Sequence, residues 1–367
     1  MSDPSNINPR WTWIFPMLSV CALIAALAMG NNAALLIFAT VCLAGTVFAA
    51  VHHAEVVAHK VGEPFGTLVL AVAVTVIEVA LIVSVMLTGG EAKAALARDT
   101  VFAAVMIVCN GIVGLCLLLG AIEHRVQTFQ QQGASAALAV LAALSVLALV
   151  LPNYATTVVG PVWSPSQLAF SGVASLVLYG TFVFVQTVRH RDYFLAVPSP
   201  EQSVIDANEL HAPPPSNQQT ALSSGLLLVS LVCVVGLAKL LSPTVEAAVA
   251  QAGAPAVVVG IIIAGLVLLP EGIAAAKAAR ANQLQKSLNL ALGSALASIG
   301  LTIPTVAAIF IVTGKPLLLG LDAKESVMLV LTLIVSTVTL STGRTTVLQG
   351  VVHLVLFAAF LFLNIVP

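Results

Sequence analysis

Long apolar segments alternate with short polar breaks along almost the whole chain. Most of them reach roughly 20 residues, the length at which a helix crosses about 30 Å of hydrocarbon. Strands of a membrane barrel would instead alternate apolar and polar positions over about 10 residues. The pattern therefore predicts an all-α integral membrane protein with eleven transmembrane helices, over 11–30, 33–51, 65–88, 98–120, 134–151, 166–187, 221–241, 254–278, 286–313, 326–341 and 345–366.

The longest polar interval, 189–220, contains five prolines and few apolar residues. This composition is typical of a flexible linker. It separates the first six predicted helices from the last five. The pattern thus divides the chain into an N-terminal tail with one extra helix, a first five-helix repeat, a linker and a second five-helix repeat, over 1–32, 33–187, 188–220 and 221–367.

Lysine and arginine are unevenly divided between the two sets of alternate loops. Nine lie on the side of the N-terminus and the linker, and five lie on the other side. Because cytoplasmic loops are enriched in these residues, the bias predicts a cytoplasmic N-terminus and an external C-terminus. The first apolar segment has an acid before Arg10 and no small-residue cleavage site after it, which indicates a retained helix rather than a signal peptide.

The composition excludes several classes of function. Hydrophobic residues make up 59% of the chain and charged residues 8%, and the net charge of −1 argues against a nucleic-acid partner. All five cysteines lie in apolar segments without a CxxC pair, so neither a disulfide framework nor a zinc site is indicated. The chain has no HExxH motif and no glycine-rich phosphate loop. A membrane-embedded hydrolase or an ATP-coupled pump is therefore disfavoured.

Two glutamates lie well inside predicted helices, Glu78 in the third and Glu271 in the eighth. A charged group at the centre of a membrane helix costs about 2.5–3.5 kcal/mol on insertion scales, and no lysine or arginine lies at comparable depth. Helices five apart run in opposite directions, as expected of an inverted repeat with a site near the midplane. A carboxylate without water must bind a proton or a cation, so protons and cations would exclude each other there. A purely structural role for protonated acids is the alternative.

Each acid-bearing helix leads into a glycine-rich helix. The first contains "NGIVGLCLLLG", from Asn110 onwards, and the second contains "GSALASIGLTIP", from Gly293 onwards. Small residues let helices approach closely in lipid, so packing alone is one explanation of this pattern. Pro270 directly precedes Glu271, and Pro304 lies in the ninth predicted helix. Proline removes a backbone hydrogen bond, so we expect both helices to be interrupted, with free carbonyls available to a cation.

The segments "GEPFGTLVLAVAVTVIEVALI" and "LLPEGIAAAKAARANQLQKSLNLALGSALASIGLTIP" resemble the two α-repeats of the cation/proton exchanger family in the calcium/cation antiporter superfamily. The stretch "HHAEVVAHKVGEPFGT" is most similar to the bacterial ChaA-type branch of that family. The resemblance covers nearly the whole chain. It implies a secondary antiporter without a cofactor in a bacterial inner membrane, with Glu78 and Glu271 as the metal ligands for which calcium and protons compete.

Calcium-specific members of the family place asparagines around each repeat glutamate, and this chain departs from that pattern. It has Leu70, Thr75 and Leu268 at three of those positions. The resemblance then implies that hydroxyl, amide, backbone and water oxygens complete the site, from the supporting residues Thr75, Ser294, Ser298 and Asn110. Relaxed selectivity follows, so that sodium or potassium exchanges for protons alongside calcium.

A polar group precedes the first repeat in "HHAEVVAHK". His52, Glu55 and His59 are spaced i, i+3 and i+7, which puts them on one face of a helix. With Glu63, they are candidates for a cation entrance or pH sensor on the cytoplasmic side. Glu55 and Glu63 match acids in the family pattern, whereas an interfacial polar cluster is the alternative for the histidines. His353 in the last helix is expected to be a packed or interfacial residue.

A cation channel could use the same carboxylates as a selectivity ring, so it remains the nearest alternative to an antiporter. The inverted repeat favours a carrier. Inorganic cations, protons and the lipid bilayer are the expected partners. The oligomeric state is left open by the sequence.

Overall fold

The computed structural model describes residues 8–30, 32–62, 65–89, 94–158, 160–195, 215–314 and 317–366, without the side chains of 29, 65–68, 70–71 and 87–89. These residues form eleven long helices, numbered in chain order: α1 (Arg10–Met29), α2 (Ala33–Val61), α3 (Phe65–Gly89), α4 (Leu96–His124), α5 (Gln131–Tyr154), α6 (Pro165–Arg189), α7 (Asn217–Gln251), α8 (Val257–Arg280), α9 (Leu284–Thr313), α10 (Ala323–Leu340) and α11 (Val347–Ile365). Among the described residues, ten helices are long and apolar enough to cross a membrane, and α3 adds a shorter apolar stretch, Val72–Met86. The predicted all-α membrane fold is confirmed.

Helix α2 extends past its predicted end at residue 51 and stops at Val61. Residues 52–61 contain neither glycine nor proline, so nothing in them ends the helix. Gly62 ends it with a φ of 73°, a backbone conformation that glycine adopts without strain. The polar residues of "HHAEVVAHK" are therefore helical and not part of a loop.

Neither Pro270 nor Pro304 interrupts its helix, in contrast to the expectation from the sequence. The α-helical backbone continues through both residues. A proline removes one backbone hydrogen bond, and the bonds on either side maintain the helix. Irregular backbone lies elsewhere, in π-helical segments of α4, α5 and α6: Ile107–Ile112, Val146–Val150 and Val185–Arg189. The hydrophobic pattern did not predict these segments.

The chain divides into two compact units, the first comprising Met1–Ile77 and Val197–Pro243. Within this unit α1 packs along α2. The hydroxyls of Ser19 and Thr46 lie 2.6 Å apart at this contact, and both side chains are fully buried. A hydrogen bond between two buried hydroxyls satisfies both groups in an apolar environment.

The second unit comprises Glu78–Ala196 and Thr244–Pro367. Helix α9 packs along α6, helix α11 packs along α4, and α8 contacts both α4 and α9. Large apolar side chains are fully buried in this unit, including Phe102 in α4, Leu141 in α5 and Phe360 in α11. The polar side chains discussed below are enclosed by this packing.

Two short antiparallel pairings in the second unit are related by a shift of five helices. Strand β1 (Gln127–Thr128) lies between α4 and α5, and it pairs with β2 (Arg344–Thr345) between α10 and α11. An isolated bridge joins Val162, between α5 and α6, to Leu318, between α9 and α10. Adding five to the helix numbers on the β1 side, and subtracting five on the β2 side, converts the first pairing into the second. This exchange of positions is consistent with the predicted two five-helix repeats.

Candidate functional site

Glu78 is buried in α3, with 3% of its surface exposed. The hydroxyl of Ser298 in α9 donates a hydrogen bond of 2.5 Å to Glu78 Oε1. A donated hydrogen bond orients a buried carboxylate and replaces part of its lost hydration. The structure therefore brings together two predicted site residues that come from different repeats.

Glu271 is buried in α8, with 6% of its surface exposed. Helix α8 packs against α9, the helix that carries Ser298. The next residue, Gly272, faces α4, and a Cβ added to it would lie 3.2 Å from Ile112 Cδ1. Glycine at this position lets the π-helical segment of α4 approach the α8 backbone beside Glu271.

Two of the predicted supporting residues lie one turn from these groups. Thr75 is buried three residues before Glu78, and Ser294 is half-buried four residues before Ser298. Residues three or four apart share one face of a helix. Leu268 is buried three residues before Glu271, so an apolar side chain occupies that face of α8. The side chain of Leu70, at an earlier asparagine position of the first repeat, lies outside the described residues.

Asn110 is directed to a different set of partners. It is fully buried in the π-helical segment of α4. Its amide nitrogen donates to Thr332 Oγ1 at 2.8 Å, and its amide oxygen lies 3.2 Å from His353 Nδ1. The structure thus brings Asn110 into contact with α10 and α11. The sequence analysis had instead predicted that it supports the glutamate site.

His353 is fully buried in α11, and sequence reasoning missed its polar partners. Its Nε2 lies 3.2 Å from Thr339 Oγ1, and its Nδ1 lies against Asn110. The expectation of a packed residue holds, because the side chain has no exposed surface. The one available signal was the spacing of Thr332 and Thr339, seven residues apart on one helix face.

The predicted cytoplasmic entrance lies on the last turns of α2. Glu55 and His59 are exposed, and His52 is half-buried with its ring centroid 5.6 Å from that of Trp11. The continuous helix confirms that the three residues lie on one face. Glu63 lies outside the described residues.

Two further acids are buried at helix starts, where a search of helix centres could not find them. Asp99 in α4 is 7% exposed and Glu325 in α10 is 5% exposed. Arg98 forms an ion pair of 2.7 Å with Asp99, and Glu325 forms a capping box with Asp322. The capping box stabilises the N-terminus of α10. Within the described part of the chain, no three His, Cys, Asp or Glu side chains form a metal-binding cluster.

Comparison with known proteins points to one family. A family model described as sodium/calcium exchanger protein matches residues 31–188 and 222–366. A putative ionic transporter of Sinorhizobium fredii, y4hA, is 52% identical over 98% of this chain and 97% of its own length. The sodium-potassium/proton antiporter ChaA of Escherichia coli is 35% identical over 95% of this chain and 94% of its own. The crystal structure of the H+/Ca2+ exchanger CAX has a similar fold, with a TM-score of 0.71 and 15% identity over 98% of this chain and 89% of its own.

Proposed function

The chain belongs to the sodium/calcium exchanger protein family, and from this premise we propose that it exchanges Ca²⁺, and also Na⁺ or K⁺, for protons at a buried site containing Glu78 and Glu271. The family consists of secondary transporters, so the chain is a multi-pass cation antiporter and not an enzyme. Alternating access to that one site from the two sides of the membrane accounts for coupled exchange.

The observation that carries the proposal is the contact between Glu78 and Ser298. A carboxylate that is 3% exposed and accepts a hydroxyl hydrogen bond from another helix is an oxygen-rich group in an apolar environment. Carboxylate and hydroxyl oxygens are suitable ligands for hard cations such as Ca²⁺ and Na⁺. Glu271 supports the same interpretation, because it is buried on the helix that packs against α9.

Competition for the carboxylates couples the two ion flows. A buried glutamate is stable when it is neutralised by a proton or by a cation, and an isolated negative charge in an apolar environment is strongly unfavourable. A carrier whose empty, ionised form reorients too rarely to matter moves cations in one direction only when protons move in the other. No further coupling device is needed for antiport.

The side chains around the glutamates support relaxed cation selectivity. Ca²⁺ takes six to eight oxygen ligands at about 2.3–2.6 Å, and two carboxylates supply at most four. Leu268 offers no oxygen beside Glu271, and Thr75 offers one hydroxyl beside Glu78. Water and backbone carbonyls must complete the shell, and a partly hydrated site imposes less geometry on the ion.

We place the protein in a bacterial inner membrane with its N-terminus in the cytoplasm. The uneven distribution of lysine and arginine supports this orientation. In this orientation Glu55, which is exposed on the last turns of α2, lies at the cytoplasmic side. There, with Glu63, it would raise the local cation concentration.

Purified protein in proteoliposomes with an internal pH dye tests the proposal. The vesicles carry a proton gradient, and Ca²⁺, Na⁺ and K⁺ are added in separate experiments. Each cation should produce a saturable change in the internal pH. Glu78→Gln and Glu271→Gln keep the side-chain shape and remove the charge, so each should reduce exchange to background in a folded protein. Proton-coupled flux at the normal rate in either variant would contradict the two-glutamate site.

Counterflow distinguishes a carrier from a channel that uses the same carboxylates. A carrier should show cation uptake that is stimulated by a high internal concentration of the same cation, because the loaded site returns faster than the empty one. A channel should instead show unsaturated flux that needs no protons or counter-ions. That result would replace antiport by the channel alternative.

A further inference from the structure

A second buried polar cluster lies beside the Glu271 helix, and we call it the His353 network. It consists of Asn110 in α4, Thr332 and Thr339 in α10, and His353 in α11, all at most 4% exposed. Hydrogen bonds connect them across three helices. Buried polar groups are unfavourable unless they are paired, so their assembly in the apolar interior calls for a physical role.

The hydrogen-bond directions within the network follow from its acceptors. The Sδ atom of Met106 lies 3.9 Å from Asn110 Nδ2, and sulfur accepts only, which assigns the amide nitrogen to this side. The amide oxygen of Asn110 then faces His353, and we assign the tautomer with the proton on Nδ1, which donates to this oxygen. Nε2 in turn accepts from the hydroxyl of Thr339. A neutral imidazole therefore satisfies both of these partners.

The network is attached to an irregular part of the backbone. Asn110 lies within the π-helical segment Ile107–Ile112, and a π-helical turn persists where its surroundings hold it. Helix α11 approaches this region closely, because a Cβ added to Gly114 would lie 2.8 Å from His353 Cβ. Asn110 and the glycine contact together join the segment to α11.

The opposite face of the same segment packs against α8 at Gly265 and at Gly272, the residue that follows Glu271. Ile112 lies against Gly272, where an added Cβ would be 3.2 Å from Ile112 Cδ1. A Cβ added to Gly265 would be 4.0 Å from Ile107 Cδ1. One turn of backbone thus carries the Asn110 contact on one side and the α8 contact on the other. A displacement of Asn110 would move the side chains that pack against α8 at Gly265 and Gly272, and with them the stretch of α8 that carries Glu271.

We propose that His353 is a positioning residue for cation exchange. By donating to Asn110 it holds the π-helical segment against α8 and so sets the geometry of the cation site at Glu271. This inference rests on the proposed antiport at that site. His353 acts through Asn110 and does not itself bind the transported ion.

Kinetics in proteoliposomes test the role through a conservative substitution. His353→Leu removes the donor and leaves the Asn110 oxygen buried and unpaired, so the apparent KM for Ca²⁺ should rise about tenfold. His353→Asn keeps an N–H near the position of Nδ1, and its KM should stay within about threefold of the unmodified protein. Ser145→Ala is the matched control, because its hydroxyl is buried without a hydrogen-bond partner among the described residues. It should change nothing.

Hydrogen exchange of residues 107–112 tests the positioning without transport. His353→Leu should accelerate amide exchange in this segment by about tenfold, whereas His353→Asn and Ser145→Ala should not. Thr332→Val removes the acceptor of the Asn110 amide with little change in shape. It should accelerate amide exchange in the same segment. If His353→Leu does not fold, this variant shows whether the hydrogen bonds of Asn110 hold residues 107–112 in place.

Unchanged KM and unchanged hydrogen exchange in a folded His353→Leu protein would overturn the inference. Equal defects in the Leu and Asn variants would do the same, because the Asn side chain keeps the proposed donor. If the unmodified protein moves no cation, the proposed function fails. The hydrogen-exchange comparison then still decides whether His353 positions this segment.

Discussion

Ser298 donates to a carboxylate that is almost completely removed from water. Hydrogen bonds to charged groups contribute about 1.5–3 kcal/mol, compared with about 1 kcal/mol for neutral pairs. The bond also directs one lone pair of Glu78 Oε1 and leaves the second carboxylate oxygen for another ligand. We therefore expect the serine to affect how strongly the proposed site binds a cation as well as how the glutamate is oriented.

Ser298→Ala should weaken apparent Ca²⁺ affinity by about tenfold to a hundredfold, the equivalent of losing one charged hydrogen bond. The loss should be greatest at acidic pH, where protons compete most strongly with the cation. Initial rates of Ca²⁺-driven proton movement at several pH values measure this effect. Ser145→Ala, which removes a buried hydroxyl elsewhere, is the control. Equal behaviour of the two variants would show that the Ser298 contact does not contribute to the site.

Cation preference should follow the amide oxygens around the glutamates. The combined substitutions Leu70→Asn, Thr75→Asn and Leu268→Asn add three amide side chains, which suit the six to eight oxygen ligands of Ca²⁺. We expect the ratio of Ca²⁺- to Na⁺-driven proton movement to rise at least about tenfold, roughly one good ligand's contribution. Thr75→Ser keeps the hydroxyl and should leave the ratio unchanged. A triple variant with the original ratio would mean that these side chains do not govern selectivity.

Glycines determine how closely helix α11 approaches helix α4. A Cβ added to Gly350 would lie 2.6 Å from the backbone nitrogen of Leu118, and one added to Gly114 would lie 2.8 Å from His353 Cβ. Both neighbours are main-chain or near-main-chain atoms that cannot rotate away. Because lipid provides no hydrophobic drive for helix association, such close packing is the principal source of attraction between membrane helices.

Gly350→Ala should therefore force α11 away from α4 and lower the free energy of unfolding by about 1–3 kcal/mol. Gly180→Ala is the matched control in α6, because a Cβ there meets nothing within 4 Å. It should be neutral or stabilise the protein by up to about 1 kcal/mol through helix propensity. Thermal unfolding in detergent measures both. If Gly350→Ala is as stable as Gly180→Ala, the close approach is not needed for stability.

The orientation of the protein in the membrane can be measured at two exposed positions that flank helix α5. Gln132 lies on its first turn, and Thr156 lies just beyond its last turn. The distribution of lysine and arginine assigns the first position to the cytoplasm and the second to the outside. The same assignment decides on which side of the membrane the Glu55 face lies.

Cysteine labelling in intact cells should show this orientation in a background with Cys21→Ser, since Cys21 is the one exposed native thiol among the described residues. An impermeant maleimide should label Thr156→Cys in intact cells and Gln132→Cys only after permeabilisation. The two positions flank one helix, so each serves as the control for the other. The opposite pattern would place the N-terminus outside.

Hydropathy was sufficient to predict the helices, because a membrane helix satisfies its backbone hydrogen bonds within its own segment. The eleven predicted segments became eleven helices in the described part of the chain, and Glu78 and Glu271 were recognisable as acids in a run of apolar residues. Boundaries were less accurate where polar residues extend a helix past its apolar part, as at α2. Proline was a misleading signal at Pro270 and Pro304, because one missing backbone bond does not end a helix.

The partners of the buried polar side chains could not be derived in the same way. Ser298 and Asn110 were equivalent candidates in the sequence, each in a glycine-rich helix that follows an acidic one. In the folded chain Ser298 donates to Glu78, whereas Asn110 joins His353 and Thr332. Whether a segment forms a membrane-spanning helix is decided locally, by the apolar character of about 20 consecutive residues. Which partners Ser298 and Asn110 contact depends on the glycines that let two helices approach and on the position of the π-helical turn in α4. Both are decided only by the packing of segments that are distant in the sequence.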